Sequence, residues 1–501
     1  MPKQETIVIG AGLGGLAAAI RLQAAGHAVR VFEQEPQAGG KANRISWQGY
    51  HFDTGPSLLT MPFVVDDLFR VAGKRREDYL EWERLEPACR YFFPDGSRFD
   101  MQGNLEANRD AIKAAFPDEV AGWDRFIAYG KQLWDVSGPA FLFNPMDWKV
   151  PLRLNPLKAL GALPALMPEP MDRALHRYFK DPRLIQLFRR YATYNGSDPF
   201  RCPATFNVIP YVELAFGSWH CRGGMYALVQ ALEQLAVDSG VEFTYNKKVA
   251  QLHFGKQGRR IDQVEFEDGE KLPASMLVLN ADAITARAGD LFAGHPRHLY
   301  WKNKYNKAEA SVSGFVVLLA VKDGPVDLSC HNIFFRENYP REFREIFQEA
   351  GPLSTPTLYL HSPSRIDGSL APVGGESWFL LANAPSLDRF SEWPSHYAAE
   401  LERQLIEQFQ KHDLGGETLK VEWRYGHGPS FFRDRYGAWQ GSLYGLSSNS
   451  LKSAFFRVGN ASPTEGLAFA GGSAHPGGGI PLVLLSGKMA AESLLQKGQA
   501  A

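Results

Sequence analysis

The apolar positions at the start of the chain predict a strand, a turn, a helix and a second strand. Residues 6–9 form a short apolar run of the kind that becomes a buried parallel strand, and residues 16–22 are rich in alanine and leucine, which favour a helix. Gly26 stops this helix, and residues 27–32 predict the second strand. This order of elements is that of a Rossmann-type β-α-β unit.

A glycine-rich turn joins the first predicted strand to the helix. Gly10, Gly12 and Gly15 fit the pattern G-x-G-x-x-G, Gly14 adds a further glycine, and Glu33 follows the second strand. The pattern permits a tight turn, a close approach to a pyrophosphate and close packing of the helix on the strand. The helix N-terminus offers N–H groups to phosphates, and the acid accepts hydrogen bonds from ribose hydroxyls. We therefore predict a dinucleotide site at these residues; a glycine turn without a ligand is the alternative.

The residues that follow distinguish FAD from NAD. Gly39, Gly40 and Lys41 come soon after the acid, and a turn of sequence Asp-Thr-Gly-Pro contains Gly55 and Pro56. This order resembles FAD proteins of the amine oxidase and carotenoid desaturase superfamily. The resemblance implies that the glycine pair passes the pyrophosphate while Lys41 adds a positive charge. Because the sequence has no second G-x-G-x-x-G pattern, we expect FAD as the cofactor and an electron acceptor other than NAD(P).

The middle of the chain alternates between helical and strand-like patterns. Residues 63–71 and 105–132 have apolar positions at three- and four-residue steps, which predicts helices. Residues 226–239 predict another helix and 241–245 a strand, and a β-meander begins near Val249.

The next segments predict a second sheet. Residues 276–282 form an apolar run that fits a strand at the edge of the cofactor domain, whereas 312–321 and 378–382 predict strands of a separate sheet. Residues 398–410 predict a helix that covers it. We interpret residues from about 290 to 450 as a substrate lobe.

A glycine-rich loop late in the chain predicts a second contact with the flavin. Residues 471–479 contain five glycines between an apolar run and a predicted helix at 482–494. The N–H groups and dipole of such a helix can meet the flavin atoms where negative charge develops on reduction. We assign this contact to four residues: Gly472, Gly479, Ile480 and Pro481. His475 is the candidate catalytic residue, and shaping of the loop is its alternative role.

Composition narrows the class of protein. Hydrophobic residues make up 45% of the 501 residues and charged residues 22%, which is ordinary for a globular protein of more than one lobe. A formal net charge of −1 argues against a nucleic-acid partner, which needs a basic surface. Four scattered cysteines argue against a zinc site or a disulfide framework, so we expect no metal and a reducing compartment. Neither a signal peptide nor a run of about 18 apolar residues is visible, which predicts a cytoplasmic protein.

The motifs together resemble those of the bacterial-type carotenoid (phytoene) desaturase family. The resemblance rests on segments that are spread along the chain: residues 10–15, 52–56, 223–249, 363–374 and 475–481. Residues 55–62, 331–335 and 476–481 are closest to diapolycopene oxygenase-like members. Desaturases of this family often have alanine where Gly478 stands.

The resemblance implies an α/β fold with three components. These are a Rossmann-type FAD-binding domain, a mixed α+β substrate domain and a helical segment that associates with the membrane. The expected boundaries are 1–70, 211–290 and 451–501 for the FAD-binding domain, 71–210 for the helical segment and 291–450 for the substrate domain. The resemblance also implies that the backbone of Val249 bonds the adenine.

In function, the resemblance implies an FAD-dependent desaturase that dehydrogenates an acyclic carotenoid by hydride transfer to the flavin. Oxygen or a quinone is the expected electron acceptor. A carotenoid oxygenase that oxidises terminal methyl groups of a lycopene-type carotenoid is the first alternative. A flavin amine oxidase and a Rab-escort-like carrier are two others.

A long apolar substrate requires an apolar path and contact with a membrane surface. Residues 139–171 combine aromatic and leucine side chains with interspersed Lys and Arg, as interfacial segments do; a buried helical pair is the alternative. Four aromatic residues are candidates for the wall of the path, with ordinary core packing as the alternative: Phe141, Phe143, Trp148 and Tyr178. Asp147 is a candidate base, although a helix N-cap is the better interpretation.

Overall fold

The computed structural model describes residues 4–146, 169–325, 327–349, 351–415 and 419–498. The strands, in chain order, are β1 (Glu5–Ile9), β2 (Ala28–Phe32), β3 (Arg44–Trp47), β4 (Tyr50–Asp53), β5 (Trp82–Arg84), β6 (Cys89–Phe92), β7 (Arg98–Met101), β8 (Trp219–Cys221), β9 (Glu242–Thr244), β10 (Val249–Phe254), β11 (Ile261–Phe266), β12 (Lys271–Pro273), β13 (Leu277–Leu279), β14 (Ser313–Lys322), β15 (His331–Phe334), β16 (Leu358–His361), β17 (Gly375–Ala384), β18 (Lys420–His427) and β19 (Leu467–Phe469).

The α-helices that connect and cover these strands are α1 (Leu13–Ala24), α2 (Phe63–Val71), α3 (Leu105–Ala115), α4 (Val120–Ser137), α5 (Met171–Leu175), α6 (Pro182–Arg189), α7 (Val208–Phe216), α8 (Met225–Asp238), α9 (Ala283–Ala288), α10 (His298–Tyr305), α11 (Tyr339–Phe347), α12 (Tyr397–Lys411), α13 (Pro429–Tyr436), α14 (Leu451–Phe455) and α15 (Ile480–Gly498).

The first sheet is parallel and combines distant parts of the chain. Its order is β19-β13-β1-β2-β9, so Ile7 pairs with Leu277, which pairs with Leu467. Alternate side chains of the sheet enter two cores. Val8 packs among residues of α1, α8 and α15, whereas Ile7 packs with residues of β10 and β11. The predicted β-α-β unit is confirmed as β1, α1 and β2, and α1 begins at Leu13.

The second sheet has seven strands in the order β18-β14-β17-β16-β15-β6-β7. The strands predicted at 312–321 and 378–382 are confirmed as β14 and β17, which pair antiparallel along their whole lengths. Residues Ser313 to Val321 are buried, which explains the uninterrupted apolar run of β14. The strands β6 and β7 extend this sheet through a parallel pair between β6 and β15, although their segment was expected to be helical.

The prediction of one helix over residues 105–132 is wrong in its length. α3 ends at Ala115, Pro117–Glu119 forms a short 3-10 turn, and α4 begins at Val120. Proline restricts the residue before it to extended conformations and lacks the N–H that a continuous helix needs. Phe116 accordingly has φ −140° and ψ 62°, which are not helical values.

The helices α1 and α15 pack against each other beside the first sheet. Their contact is so close that a Cβ atom on Gly487 would lie 2.3 Å from the carbonyl oxygen of Gly14 and 2.8 Å from Cβ of Ala17. Only glycine at position 487 therefore allows this helix spacing.

We expect Gly487→Ala to lower the free energy of unfolding by about 1–3 kcal/mol, because the added methyl group must separate two packed helices. Thermal and denaturant unfolding measure the effect. Gly368→Ala is the matched control, since a Cβ there meets no atom within 4 Å. Equal stability of the two variants would contradict the close packing.

Candidate functional site

A cavity of about 860 Å³ lies between the two large sheets. Its volume is in the range of small-molecule sites. One part of its wall consists of the loops after β1, β2 and β19, and another consists of side chains from β15, β16 and β17. The loops converge because the carboxyl ends of parallel strands meet at one edge of a sheet, where α/β proteins bind their ligands.

The glycine loop after β1 has the geometry that a pyrophosphate needs. Gly10 has φ +95°, and a Cβ on Gly15 would lie 2.0 Å from the carbonyl oxygen of Gly10. α1 begins after Gly12 without a side-chain cap and without an acid in its first turn, so its N–H groups and dipole are available to an anion. Gly10, Gly12 and Gly14 line the cavity, whereas Gly15 provides the helix packing behind them. The loop therefore fits the pyrophosphate of FAD.

Asn280, at the end of β13, is a site residue that the glycine pattern does not reveal. Its Nδ2 donates a 3.3 Å hydrogen bond to the carbonyl oxygen of Gly10. A Cβ on Gly12 would lie 2.8 Å from that nitrogen, and one on Gly14 would lie 2.6 Å from Oδ1 of Asn280. The side-chain amide of Asn280 thus packs against the glycine loop and donates a hydrogen bond to it. Its position at the end of an apolar strand is the signal that could have identified it.

The carboxylate of Glu33 is buried at the end of β2 and lines the cavity. It accepts hydrogen bonds from the backbone N–H groups of Ala11 at 2.7 Å and Glu35 at 2.9 Å. Burial raises the pKa of Glu33, and these two N–H groups lower it in part. The side chain of Glu33 therefore connects the glycine loop to β2. It also faces the cavity, as an acid that binds a ribose must.

The ammonium group of Lys41 is bound to protein carbonyl groups. Its Nζ donates to the carbonyl oxygens of Leu443 at 2.9 Å and Ser442 at 3.3 Å. Burial lowers the pKa of Lys41, which the nearby Asp282 opposes. The lysine thus joins the early part of the site to the segment before the late glycine loop and itself lines the cavity, so its charge at the pyrophosphate stays a prediction. Gly39 and Gly40 line the cavity beside it.

The late glycine loop brings the N-terminus of α15 to the cavity. This helix begins at Ile480, earlier than the predicted residue 482. Gly472, Gly479, Ile480 and Pro481 all line the cavity, as do Gly55, Pro56 and Val249 from the other segments assigned to the cofactor. A Cβ on Gly478 would lie 2.4 Å from Cδ1 of Tyr444, so alanine would require this ring to move.

His475 belongs to this loop, but its side chain is buried and does not line the cavity. Its Nε2 lies 2.9 Å from the carbonyl oxygens of both Phe141 and Asn144, so this nitrogen carries the hydrogen. Burial lowers the pKa of His475. A catalytic role for His475 stays a prediction, and these contacts favour the alternative that it shapes the loop.

The aromatic residues predicted to form the wall of the substrate path do not line the cavity where the structure describes them. Phe141 packs on Phe455, Phe143 on Trp134, and Tyr178 within the core below α4, and none of the three lines the cavity. This arrangement matches the alternative of core packing. Asp147, Trp148 and the rest of 147–168 lie outside the described residues. Among the described residues, no helix is both long and apolar enough to cross a membrane.

Beside its apolar side chains, the part of the cavity wall formed by the second sheet has a polar region, which the sequence patterns do not indicate. Tyr359 connects Ser57 and His331, since its hydroxyl lies 2.6 Å from Ser57 Oγ and 2.7 Å from His331 Nδ1. Burial lowers the pKa of His331 to about 3, so the imidazole is neutral. Arg190, Tyr194 and Glu213 line the same wall.

Cys330, His331 and His361 are the kinds of residue that ligate metals, and their donor atoms lie within 4.8 Å of one another. The two imidazole rings, however, stack at 4.6 Å with an interplanar angle of 9°. An ion in the plane of one ring therefore lies outside the plane of the other. This geometry does not direct both nitrogen lone pairs to one ion.

Comparison with known sequences gives a family and full-length relatives. The profile of the flavin containing amine oxidoreductase family matches residues 13–495. The 4,4'-diapolycopene oxygenase of Methylomonas sp is 35% identical, and the alignment covers 98% of both chains. The 1-hydroxycarotenoid 3,4-desaturase of Flavobacterium sp. (strain P99-3) is 33% identical over 98% of both chains. The lycopene-forming phytoene desaturase of Pantoea ananas is 31% identical over 98% of this chain and 99% of its own.

Solved structures share the fold. Cyclohexylamine oxidase from Brevibacterium oxydans IH-35A superposes with a TM-score of 0.62 over 99% of this chain and 100% of its own, at 15% identity. An oxidoreductase from Methanosarcina mazei gives a TM-score of 0.64 over 98% and 100%, at 17% identity. At these identities the likeness concerns the fold alone.

Glu33→Ala removes the acceptor of two backbone hydrogen bonds and, if the prediction holds, the acceptor for the ribose. We expect the Kd for FAD to rise at least about tenfold, since hydrogen bonds to a charged group contribute about 1.5–3 kcal/mol each. Titration of the apoprotein with FAD measures the change. Glu5→Ala, an exposed acid of the same sheet, is the control. Unchanged FAD affinity in Glu33→Ala would contradict the assignment.

His475→Gln distinguishes the two roles of this histidine. A glutamine can still donate a hydrogen bond to one carbonyl group, so a loop-shaping residue should retain turnover within about tenfold and keep the pH profile. Loss of a proton-transfer group should instead lower kcat about 100-fold or more and alter the pH profile. His475→Phe, which cannot donate, should lower the FAD content under the loop-shaping role.

Proposed function

The chain belongs to the flavin containing amine oxidoreductase family, and we propose that it is an FAD-dependent carotenoid desaturase that dehydrogenates an acyclic carotenoid. The observation that carries this proposal is identity of 31–35% with carotenoid desaturases and a carotenoid oxygenase over almost the whole chain. The amine oxidase structures support the fold and not an amine substrate.

Among the described residues, two sets of loops form the proposed cofactor site, and each would hold a different part of FAD. The first turn of α1 would hold the pyrophosphate, Glu33 would hold the adenosine ribose, and the backbone of Val249 would bond the adenine; all three line the cavity. The N-terminus of α15 at Ile480, which also lines the cavity, would hold the flavin ring. FAD, when bound, would supply the acceptor for the hydride that leaves an allylic carbon of the substrate, while the adjacent carbon loses a proton to the medium and a carbon–carbon double bond forms.

A hydrocarbon polyene offers no polar handle, so its position depends on contact with apolar walls. Apolar side chains of the second sheet and of the segment before the late loop line the cavity: Val316, Ile333, Phe379, Leu381 and Leu443. These side chains exclude water and hold the polyene against the part of the cavity that would hold the cofactor. Such positioning alone can supply a large part of the rate enhancement.

Contact with a membrane surface supplies the substrate in this proposal. Phe456 is 66% exposed and Phe63 40% exposed. Phe63 packs on Phe143, and Phe456 follows α14, whose Phe455 packs on Phe141. These side chains lie next to residues 139–146, which begin the segment 139–171. We propose that this surface associates peripherally with the membrane from the cytoplasmic side, and that oxygen or a quinone reoxidises the enzyme.

Expression in cells that make phytoene or, separately, lycopene tests the reaction. A desaturase should add conjugated double bonds to phytoene, which shifts the absorption of the extracted pigment to longer wavelengths. Because the Methylomonas relative is an oxygenase, aldehyde or acid ends on a lycopene-type carotenoid would favour that alternative. Unchanged pigments in both strains, with soluble and FAD-loaded protein, would contradict carotenoid oxidation altogether.

A further inference from the structure

Arg190 lies in the wall of the cavity directly after α6 and is only 8% exposed. Its Nη2 donates a 2.6 Å hydrogen bond to the hydroxyl of Tyr91. The faces of Tyr91, Tyr191 and Tyr194 surround the guanidinium group, with ring centroids 4.7–5.3 Å from its central carbon. Aromatic faces stabilise a buried cation, although they leave most of its N–H donors unused.

No carboxylate among the described residues forms an ion pair with Arg190, and its Nε is buried without an acceptor there. Two examples among the other buried or partly buried arginines are paired with a carboxylate. Arg336 donates to Glu345 at 2.7 Å, and Arg189 donates to Asp172 at 2.6 Å. Burial of a charge without a partner is costly. The unused N–H donors of Arg190 therefore favour an acceptor on a molecule that binds in the cavity.

Glu213, from α7, presents an acceptor to the same cavity and is 3% exposed. Its two carboxylate oxygens accept hydrogen bonds from the hydroxyls of Tyr191 at 2.9 Å and Tyr194 at 2.5 Å. Burial raises the pKa of both tyrosines well above the usual value, so they are neutral donors. A carboxylate has about four lone-pair sites, so it can accept a further hydrogen bond.

We propose that Arg190, Tyr194 and Glu213, here called the Arg190 pocket, bind a hydroxyl group at the end of the carotenoid chain. Arg190 donates to the hydroxyl oxygen, and Glu213 accepts the hydroxyl hydrogen. A hydrocarbon end satisfies neither group, and Glu213 opposes a carboxylate end. Binding of one end in the pocket sets which carbon–carbon bond lies at the cofactor side. The inference rests on the proposed function and names the substrate class within it.

The test compares two acyclic carotenoids of equal length and conjugation, one with a terminal hydroxyl group and one without. The purified FAD-loaded enzyme is titrated with each carotenoid in detergent micelles, and quenching of tryptophan fluorescence gives Kd. The hydroxylated carotenoid should bind at least about tenfold more tightly, the effect of one hydrogen bond to a charged group. Arg190→Met should abolish this preference while the Kd of the hydrocarbon stays within about twofold.

Three further variants sharpen the result. Arg190→Lys keeps the charge with fewer donors and should retain part of the preference. Glu213→Gln keeps an acceptor oxygen without the charge and should also reduce the preference. Arg189→Met changes the neighbouring arginine, which pairs with Asp172, and should keep the full preference. FAD content and thermal unfolding establish which variants fold; if Arg190→Met does not, Arg190→Lys and Glu213→Gln decide.

Equal binding of the two carotenoids by the unaltered enzyme would overturn the inference, as would an equal loss of both in Arg190→Met. In either case, continued desaturation of the hydrocarbon would leave the proposed function standing. If neither carotenoid binds or is desaturated, both proposals fail.

Discussion

The close contact between α1 and α15 is the constraint on which both ends of the cofactor site depend. Each helix directs its N-terminus to the cavity, and each follows a glycine loop. Two helices can present adjacent N-termini to one ligand only if they lie side by side at short range. Gly487 makes that spacing possible, because it has no side chain where the carbonyl oxygen of Gly14 approaches it. Glycine residues thus set the distance between the positive ends of two helix dipoles, in addition to forming the local turns.

Two aspartates connect segments that are far apart in the sequence. Oδ2 of Asp53, at the end of β4, accepts a 2.6 Å hydrogen bond from the N–H of Met225 at the start of α8. Oδ2 of Asp367 accepts one of 2.6 Å from the N–H of Gly223. Three of the motifs that resemble the carotenoid desaturases therefore meet at one place beside the cavity. These two hydrogen bonds thus join residues that lie 172 and 144 positions apart in the chain.

The local parts of the fold and site could be predicted because their signals are local. The glycine spacing from Gly10 to Gly15 and the apolar runs of β14 and β17 depend on adjacent residues. Pro117 also carried a local signal, which the apolar periodicity on both sides obscured. The polar wall could not be predicted, since Arg190, Glu213 and Tyr359 come from three separate elements. Only the tertiary fold turns these ordinary polar residues into neighbours.

The strand order of the first sheet has a consequence for the biosynthesis of the protein. β1 is synthesised well before its partner β13, and β19, which pairs with β13, leaves the ribosome later still. Parallel pairing of such distant segments carries a large loop-closure entropy and gives the nascent chain few early native contacts in this sheet. The edge of this sheet that faces the cavity is therefore complete only after β19 has emerged from the ribosome.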